Sequence, residues 1–193
     1  MPRKGKVYPL SKEEREKMHE FIKEQLGKGY IRSSKSPQIA PVFFVEKKDG
    51  KKRMVQDYWY LNEWTVKNNY PLPLILNVIE NIDTKKMFTK MDLRWEYNNV
   101  RIKEEDGWKV AFTTPKGSFE PTDMFFGLTN SPATFQVMMN ELLRDLINTG
   151  KVAVSIDDVI VRMEDEEEHD ELVAEVVKRL EENDLYMKPE KCK

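Results

Sequence analysis

Asp157 and Asp158 are adjacent carboxylates at a point where the surrounding sequence predicts a buried hairpin. They lie between two β-branched runs, residues 152–156 and 159–161. Burying neighbouring carboxylates costs desolvation and mutual repulsion unless a cation compensates their charge. Asp92 is a third carboxylate of this kind, because it closes a predicted strand earlier in the chain. We therefore expect Asp92 to lie near the Asp157-Asp158 pair.

Three carboxylates at two neighbouring strand ends would suit Mg²⁺, which prefers oxygen ligands and accepts few of them from the protein. Two such ions about 4 Å apart can activate a hydroxyl and stabilise the leaving oxygen of an in-line phosphoryl displacement. The plain structural alternative is that Asp157-Asp158 is only a polar two-residue turn, a common use of aspartate. The aspartate pair alone leaves both interpretations open.

The composition bounds the classes of protein that are possible. The chain has 193 residues, of which 39% are apolar, so it is one ordinary domain or one compact piece of a larger protein. A single cysteine, Cys192, excludes an internal disulfide and a multi-thiolate zinc site. Two histidines, His19 and His169, are too few for a His-rich metal site, and we expect both on exposed helix faces.

Neither a membrane span nor a signal peptide is expected from the sequence. No apolar run approaches the roughly 20 residues that cross a bilayer. Residues 1–6 are not followed by an apolar segment that could serve as a signal peptide. The sequence therefore predicts an intracellular protein without a membrane partner, and leaves open whether it is cytoplasmic or nuclear.

Charge is distributed unevenly along the chain. Lys and Arg outnumber Asp and Glu by 15 to 8 in residues 1–60, balance them at 9 to 9 in residues 61–120, and number 8 against 17 in residues 121–193. A basic first third could bind an anionic polymer, which the acidic last third would repel unless cations intervene. The plain alternative, which the charge counts alone favour, is that solvated helices differ in composition. The acidic run Glu164–Glu171 lacks the glycine of a calcium loop and is typical of a first helical turn.

Periodicity and turn residues predict the elements that must position these side chains. Ser11 and Glu14 form a capping box ahead of a first helix, which Gly27 and Gly29 end. The expected apolar stripe of this helix is Met18, Phe21, Ile22 and Leu26. Asp49-Gly50 predicts a hairpin whose tip carries five basic residues. The later elements are a helix over 75–82, a strand over 87–93, a hairpin of 108–113 with 118–121, a helix from Asn130-Ser131-Pro132 to Gly150, two strands around Asp157-Asp158, and a last helix burying Leu172, Val173, Val176, Val177 and Leu180.

Eight segments, taken in order and spacing, are far more specific than the aspartates alone. They are Ser33–Pro37, Val45–Gly50, Arg53–Tyr58 with Leu61-Asn62, Asn69–Pro73, Phe88–Arg94, Phe126–Phe135, Ile156–Asp158 and Leu185–Cys192. The series resembles the fingers and palm of reverse transcriptases from Gypsy-type LTR retrotransposons and their retroviral relatives, over nearly the whole chain.

The resemblance implies an α+β fold, the fingers and palm of a right-hand polymerase, with an antiparallel palm sheet backed by helices. Residues 1–68 and 100–124 would form the fingers, residues 69–99 and 125–193 the palm, and the thumb and RNase H would be absent. The implied activity is RNA-directed addition of dNTPs to a primer 3′-hydroxyl. The implied partners are an RNA or DNA template with its primer, the dNTPs and the remainder of a pol polyprotein.

The resemblance also assigns a role to each matching residue. The aspartates at 92, 157 and 158 would be the catalytic triad that binds two Mg²⁺ ions, or Mn²⁺, with help from the Leu93 carbonyl. The other expected roles are triphosphate binding by Lys48 and Arg53, exclusion of a ribose 2′-hydroxyl by Tyr97, contact with the nascent pair by Phe126 and Gly127, and template or primer contact by Asn130, Pro132 and Ser155.

Several residues depart from the family pattern. Ser155 stands in place of Tyr or Phe, Glu96 in place of glycine, Trp59 in place of arginine and Phe125 in place of proline. The sequence also ends at Lys193, before the family's primer grip, so we expect poor primer retention. Two alternatives follow: a decayed element relic that only binds nucleic acid or protein, and an unrelated two-metal nuclease or phosphatase.

Overall fold

A computed structural model describes residues 7–46, 50, 52–73, 87–94 and 96–193. The helix predicted over 75–82 and residues 47–49 and 51 of the basic hairpin lie outside these described residues. The helices are α1 (Lys12–Lys28), α2 (Trp59–Trp64), α3 (Ser131–Leu142), α4 (Arg144–Asn148) and α5 (Glu166–Glu182). The strands are β1 (Ile31–Ser33), β2 (Val42–Glu46), β3 (Lys52–Gln56), β4 (Met87–Asp92), β5 (Phe112–Thr114), β6 (Gly117–Pro121), β7 (Val152–Ser155) and β8 (Asp158–Met163).

The chain divides into two compact units, each built from two segments. One comprises Met1–Lys67 and Val100–Ser131, and the other Asn68–Asn99 and Pro132–Lys193. The first carries 20 Lys and Arg against 14 Asp and Glu, and the second 12 against 20. We call them the basic unit and the acidic unit. The charge gradient therefore follows the division of the fold, and the fingers and palm bounds given above stay a prediction.

The basic unit contains α1, a three-stranded sheet in the order β1-β6-β5 and the separate β2-β3 hairpin. Helix α1 begins with the expected capping box at Ser11 and ends at Gly29, whose φ of 75° needs a residue without a side chain. Its buried face includes Gln25, whereas Leu26 is 42% exposed, contrary to the expected apolar stripe. The hairpin around residue 50 forms as predicted, with Glu46 opposite Lys52.

The second hairpin of the basic unit is shorter than the sequence predicts. Residues Glu104–Val110 form a 3-10 helix, so Trp108 is not in a strand and β5 begins at Phe112. The core of this unit is aromatic and aliphatic, with Phe112 completely buried. Its buried members are Met18, Ile22, Ile31, Val42, Tyr58, Val110, Phe112, Phe119 and Phe125.

The acidic unit contains a three-stranded antiparallel sheet in the order β7-β8-β4, against which α5 packs through β8 and β4. The C-terminal residues run along the free edge of β4. Backbone hydrogen bonds join Lys90 to Lys193 in both directions, and Leu93 pairs with Met187 in an antiparallel bridge. All named strand pairs of the described chain are antiparallel, which confirms the α+β prediction.

Two expectations for the helices of the acidic unit are wrong. The helix predicted to run continuously to Gly150 is interrupted at Leu143, between α3 and α4. His169 is only 3% exposed, because its ring faces β4 and its Nε2 lies 2.8 Å from the Thr89 hydroxyl. The acidic run is otherwise the first turn of α5, capped by the Asp165 side chain. Within the described residues, no helix is long and apolar enough to cross a membrane.

Candidate active site

The structure brings the three aspartates to one end of the acidic unit's sheet. Asp92, the last residue of β4, is directly opposite Asp158, the first residue of β8. The Leu93 N–H donates to the Asp157 carbonyl at 2.9 Å, which ties the end of β4 to the turn before β8. Ser155, the last residue of β7, is the other register partner of Asp158.

Strand alternation explains why the Asp92 and Asp158 carboxylates share a face. Successive side chains of a strand point to opposite faces, and directly opposed residues of an antiparallel pair point to the same one. On β4, Thr89 contacts His169 of α5, so Lys90 and Asp92 project from the face away from that helix. The face that α5 covers is apolar, and Val159 of β8 is fully buried.

Three lysine ammonium groups contact the two paired carboxylates. Lys90 Nζ lies 2.8 Å from Asp158 Oδ2. Asp92 accepts hydrogen bonds from Lys188 at one carboxylate oxygen and from Lys191 at the other, the latter at 3.2 Å. The three ammonium groups therefore place positive charge where the sequence predicts bound cations.

The electrostatics of the site agree with these contacts. Burial by itself would raise the pKa of the Asp92 carboxyl, but the hydrogen bonds and charges of Lys188 and Lys191 outweigh it and hold the pKa below its ordinary value. A hydrogen bond to Asp158 raises the pKa of Lys90, against the opposing effect of partial burial. The negative charges of all three aspartates contribute to the shift at Lys90, which puts all three within electrostatic reach of one ammonium.

The donor set fits a hard divalent cation, because it consists only of carboxylate and carbonyl oxygens at adjoining backbone positions. The lysine contacts nevertheless engage the carboxylates of Asp92 and Asp158. As the side chains stand, the described residues include no group of three or more His, Cys, Asp or Glu side chains arranged to hold a metal ion. A metal ion binding here would therefore have to replace lysine contacts.

Three of the predicted nucleotide-binding residues belong to the basic unit and lie close together. The Arg53 guanidinium stacks over the Phe126 ring, 4.9 Å from its centroid. Gly127 follows with a φ of 95°, and a β-carbon there would meet the Gln56 carbonyl at 3.4 Å. Lys48, the fourth predicted residue of this group in the basic unit, lies outside the described residues.

The remaining predicted residues are held by local packing. Tyr97 is 9% exposed, and its ring meets that of Phe135 edge-on, with 6.3 Å between centroids. Asn130 donates its side-chain amide to the Val66 carbonyl at 2.9 Å. Pro132 is the second residue of α3, in the first turn, where proline costs no helical hydrogen bond.

Two of the residues that depart from the family pattern differ in their exposure to solvent. Trp59 begins α2 and is 83% exposed, so its indole contributes little to the core. Phe125 is 5% exposed and packs in the core of the basic unit, edge-on to Phe21. The change to Phe125 therefore has a packing explanation, whereas nothing in the structure explains the change to Trp59.

Sequence reasoning missed the lysines that contact the carboxylates. Lys90 could have been found by strand alternation, since it stands two residues before Asp92 on the same face. Lys188 and Lys191 belong to the last of the matching segments, but their spacing from Asp92 along the chain gives no hint of contact. Only the pairing of the C-terminal residues with β4 brings them there.

Comparisons with known proteins identify relatives of this chain. Residues 45–193 match the family model described as reverse transcriptase (RNA-dependent DNA polymerase). The chain is 37% identical over 185 residues to the Transposon Tf2-3 polyprotein of Schizosaccharomyces pombe, covering 96% of this chain and 14% of that protein. The Tf2-7 polyprotein of the same organism is 36% identical with the same coverage. The chain thus spans about a seventh of the length of these relatives.

Solved structures show the same fold. The foamy viral protease-reverse transcriptase in complex with an RNA/DNA hybrid matches with a TM-score of 0.89 and 24% identity, over 99% of this chain and 25% of that one. A foamy viral protease-reverse transcriptase (dRH) in complex with double-stranded DNA matches with a TM-score of 0.90 and 26% identity, over all of this chain and 33% of that one. The expected polymerase fold is confirmed, and the chain belongs to the reverse transcriptase (RNA-dependent DNA polymerase) family.

Proposed function

We propose that this chain is the core of an RNA-directed DNA polymerase that adds dNTPs to a primer 3′-hydroxyl as part of a longer polyprotein inside the cell. The observation that carries the proposal is the register of β4 and β8, which sets Asp92 opposite Asp158 while Leu93 bonds to Asp157. Three carboxylates at one sheet end match the needs of two-metal phosphoryl transfer.

In this proposal Asp92, Asp157 and Asp158 hold two Mg²⁺ ions, or Mn²⁺, with the Leu93 carbonyl as a further oxygen ligand. The bound ions would supply positive charge for the primer oxygen and the triphosphate. The chain itself supplies placement: β4 and β8 fix two of the carboxylates, and the turn between β7 and β8 fixes the third. The lysine contacts keep this acidic site neutralised while no metal ion is bound.

The basic unit would supply the groups that recognise nucleotides. Arg53, with Lys48 beside it in sequence, is assigned to the triphosphate, because a guanidinium forms paired hydrogen bonds with phosphate oxygens. Stacking on Phe126 supports the Arg53 guanidinium, which lowers the cost of holding it ready for an anion. Phe126 and Gly127 are assigned to the nascent base pair.

We assign the remaining predicted residues in the same way. Tyr97, whose ring is fixed by Phe135, would exclude a ribose 2′-hydroxyl. Asn130, Pro132 and Ser155 would contact the template or primer. The basic unit corresponds in this proposal to the fingers and the acidic unit to the palm.

A primer-extension assay tests the proposal. The chain, in excess over a short RNA template with a DNA primer, is given dNTPs with Mg²⁺ or Mn²⁺, so that single additions are detected even if primer binding is weak. We expect extension that Asp157→Asn lowers by about 100-fold or more, as the loss of a group that acts in the transition state does. Asp170→Asn, an exposed change on α5 of the same acidic unit, should leave extension unchanged.

The other outcomes separate the alternatives. Extension that does not depend on Asp157 would refute the assignment of the carboxylates. Salt-sensitive binding to an RNA–DNA duplex without any extension would identify a decayed relic that acts only as a binding module. Cleavage of nucleic acid in the absence of dNTPs would identify a nuclease.

A further inference from the structure

The turn that presents Asp157 contains a residue in an unfavourable backbone conformation. Ile156 has a φ of 56°, and Asp184 is the only other non-glycine residue in the described part of the chain with a positive φ. A β-branched side chain is especially disfavoured in the left-handed region, where strain of about 1–3 kcal/mol persists only if the surroundings hold it. Something must therefore keep Ile156 in place.

Gln136 of α3 makes the contacts that hold this turn. Its side chain is completely buried. Its Oε1 accepts a hydrogen bond from the Ile156 N–H at 2.7 Å, and its Nε2 donates to the Val154 carbonyl at 3.2 Å. One amide group thus binds the backbone on both sides of Ser155.

A neighbouring pair of side chains fixes the orientation of that amide. Gln136 Nε2 also donates to Asn140 Oδ1 at 2.8 Å, and Asn140 Nδ2 donates to the Tyr70 hydroxyl at 2.8 Å. Reversing the Gln136 amide would set its nitrogen against the Ile156 N–H and its oxygen against two acceptors. The network therefore has one satisfied arrangement, in which the amide oxygen faces the turn.

We propose that Gln136 is a positioning residue for the Asp157-Asp158 carboxylates, acting by holding Ile156 in the left-handed conformation. This inference rests on the proposed polymerase function. Gln136 contacts no reacting group: its effect passes through the backbone of residues 154–156 to the carboxylates that follow. Since misplacement of about 1 Å can cost about 100-fold in rate, a loosened turn should slow the chemical step more than nucleotide binding.

Gln136→Met tests the proposal, because methionine has a similar volume and side-chain length but cannot make the two backbone hydrogen bonds. Gln25→Met is the matched control: Gln25 is 2% exposed and lies on α1 of the basic unit. We expect Gln136→Met to lower kcat for single-nucleotide addition by about 10- to 100-fold while KM for the dNTP stays within about threefold. The Gln25→Met variant should keep the wild-type kcat.

A second change separates positioning from general destabilisation. Ile156→Gly removes the steric strain of the left-handed conformation, so it should restore at least part of the kcat lost in Gln136→Met. Amide hydrogen exchange gives a readout that does not need activity: the Ile156 N–H should exchange at least about tenfold faster in Gln136→Met than in wild type. The exchange of α5 amides should stay unchanged.

The outcomes distinguish the positioning role of Gln136 from the proposed polymerase function. Wild-type kcat and unchanged Ile156 exchange in Gln136→Met would overturn the role of Gln136. So would equal losses of kcat and dNTP affinity that Ile156→Gly does not relieve, since these indicate a general loss of structure. If the wild-type chain shows no Asp157-dependent extension, the proposed function fails and the positioning role falls with it, while the exchange experiment still decides whether Gln136 holds the turn.

Discussion

Replacing Lys188 with methionine should destabilise the acidic unit by an amount that depends on pH. Lys188 donates to Asp92, whose side chain is 12% exposed, and its own side chain is 24% exposed. At an effective dielectric constant of about 20, unit charges about 3 Å apart attract by about 5.5 kcal/mol, most of which desolvation offsets. A hydrogen bond to a charged group retains about 1.5–3 kcal/mol. Because Lys191 still contacts Asp92 in the variant, we expect a loss in the lower half of this range.

The pH dependence follows from the charge of Asp92. The Lys188 and Lys191 contacts hold the pKa of this carboxyl below its ordinary value of 3.8, in spite of burial. Its contribution to stability is therefore fully present above that ordinary value and is lost as pH falls through the lower, folded-state pKa. The difference between wild type and Lys188→Met should be the same at pH 7 and pH 5 and should shrink as pH falls below the ordinary Asp pKa of 3.8.

Urea unfolding followed by circular dichroism measures these differences. Lys178→Met is the matched control, because Lys178 pairs with Glu182 at 4.0 Å and their side chains are 69% and 60% exposed. Such a pair contributes less than about 0.5 kcal/mol. If Lys188→Met unfolds at the same urea concentration as the control, or if its deficit does not shrink in acid, the account of Asp92 and its lysines is wrong.

Three further predictions concern the basic unit. Tyr58→Phe leaves the buried Val110 carbonyl without its 2.8 Å hydrogen bond and should cost about 1–3 kcal/mol in urea unfolding; an unchanged midpoint would contradict this. Burial raises the pKa of the Asp123 carboxyl, so its ionised form destabilises the fold at neutral pH. Asp123→Asn should raise Tm at pH 7, with a gain that disappears as pH falls below about 4, and a lower Tm would refute it. Arg53→Met should raise KM for dNTPs at least about tenfold, whereas an unchanged KM would exclude the triphosphate assignment.

Much of the local structure followed from the sequence because short-range physics decides it. The Ser11 capping box, the hairpin at residue 50 and the strand from Met87 all depend on residues close together in the chain. The approach of Asp92 to the Asp157-Asp158 pair was also expected, since carboxylates at the ends of strands predicted to be buried need a shared compensating charge. In these cases the residue types and their spacing are enough to predict the structure.

Burial of particular side chains could not be read from periodicity. Leu26 and Gln25 exchange their expected positions because the packing partners of α1 determine which side of the helix is covered. His169 belongs to an acidic run that is typical of an exposed helix face, yet the Thr89 hydroxyl of β4 is a polar partner that allows it to be buried. Phe125, which packs against α1, and the Thr89 partner of His169 are distant in sequence, so local sequence patterns could not predict this burial.

The amino-acid sequence by itself determined the class of fold, the order of its elements and the identity of the carboxylates, because capping, alternation and motif spacing are properties of the chain. Only the tertiary structure decided what surrounds those carboxylates. Lys188 and Lys191 reach Asp92 across nearly a hundred residues, and Gln136 reaches the turn at Ile156 from a different element. Contacts of this kind depend on how strands and helices meet in space, and hydrogen bonds between distant groups form only once that packing has brought them together.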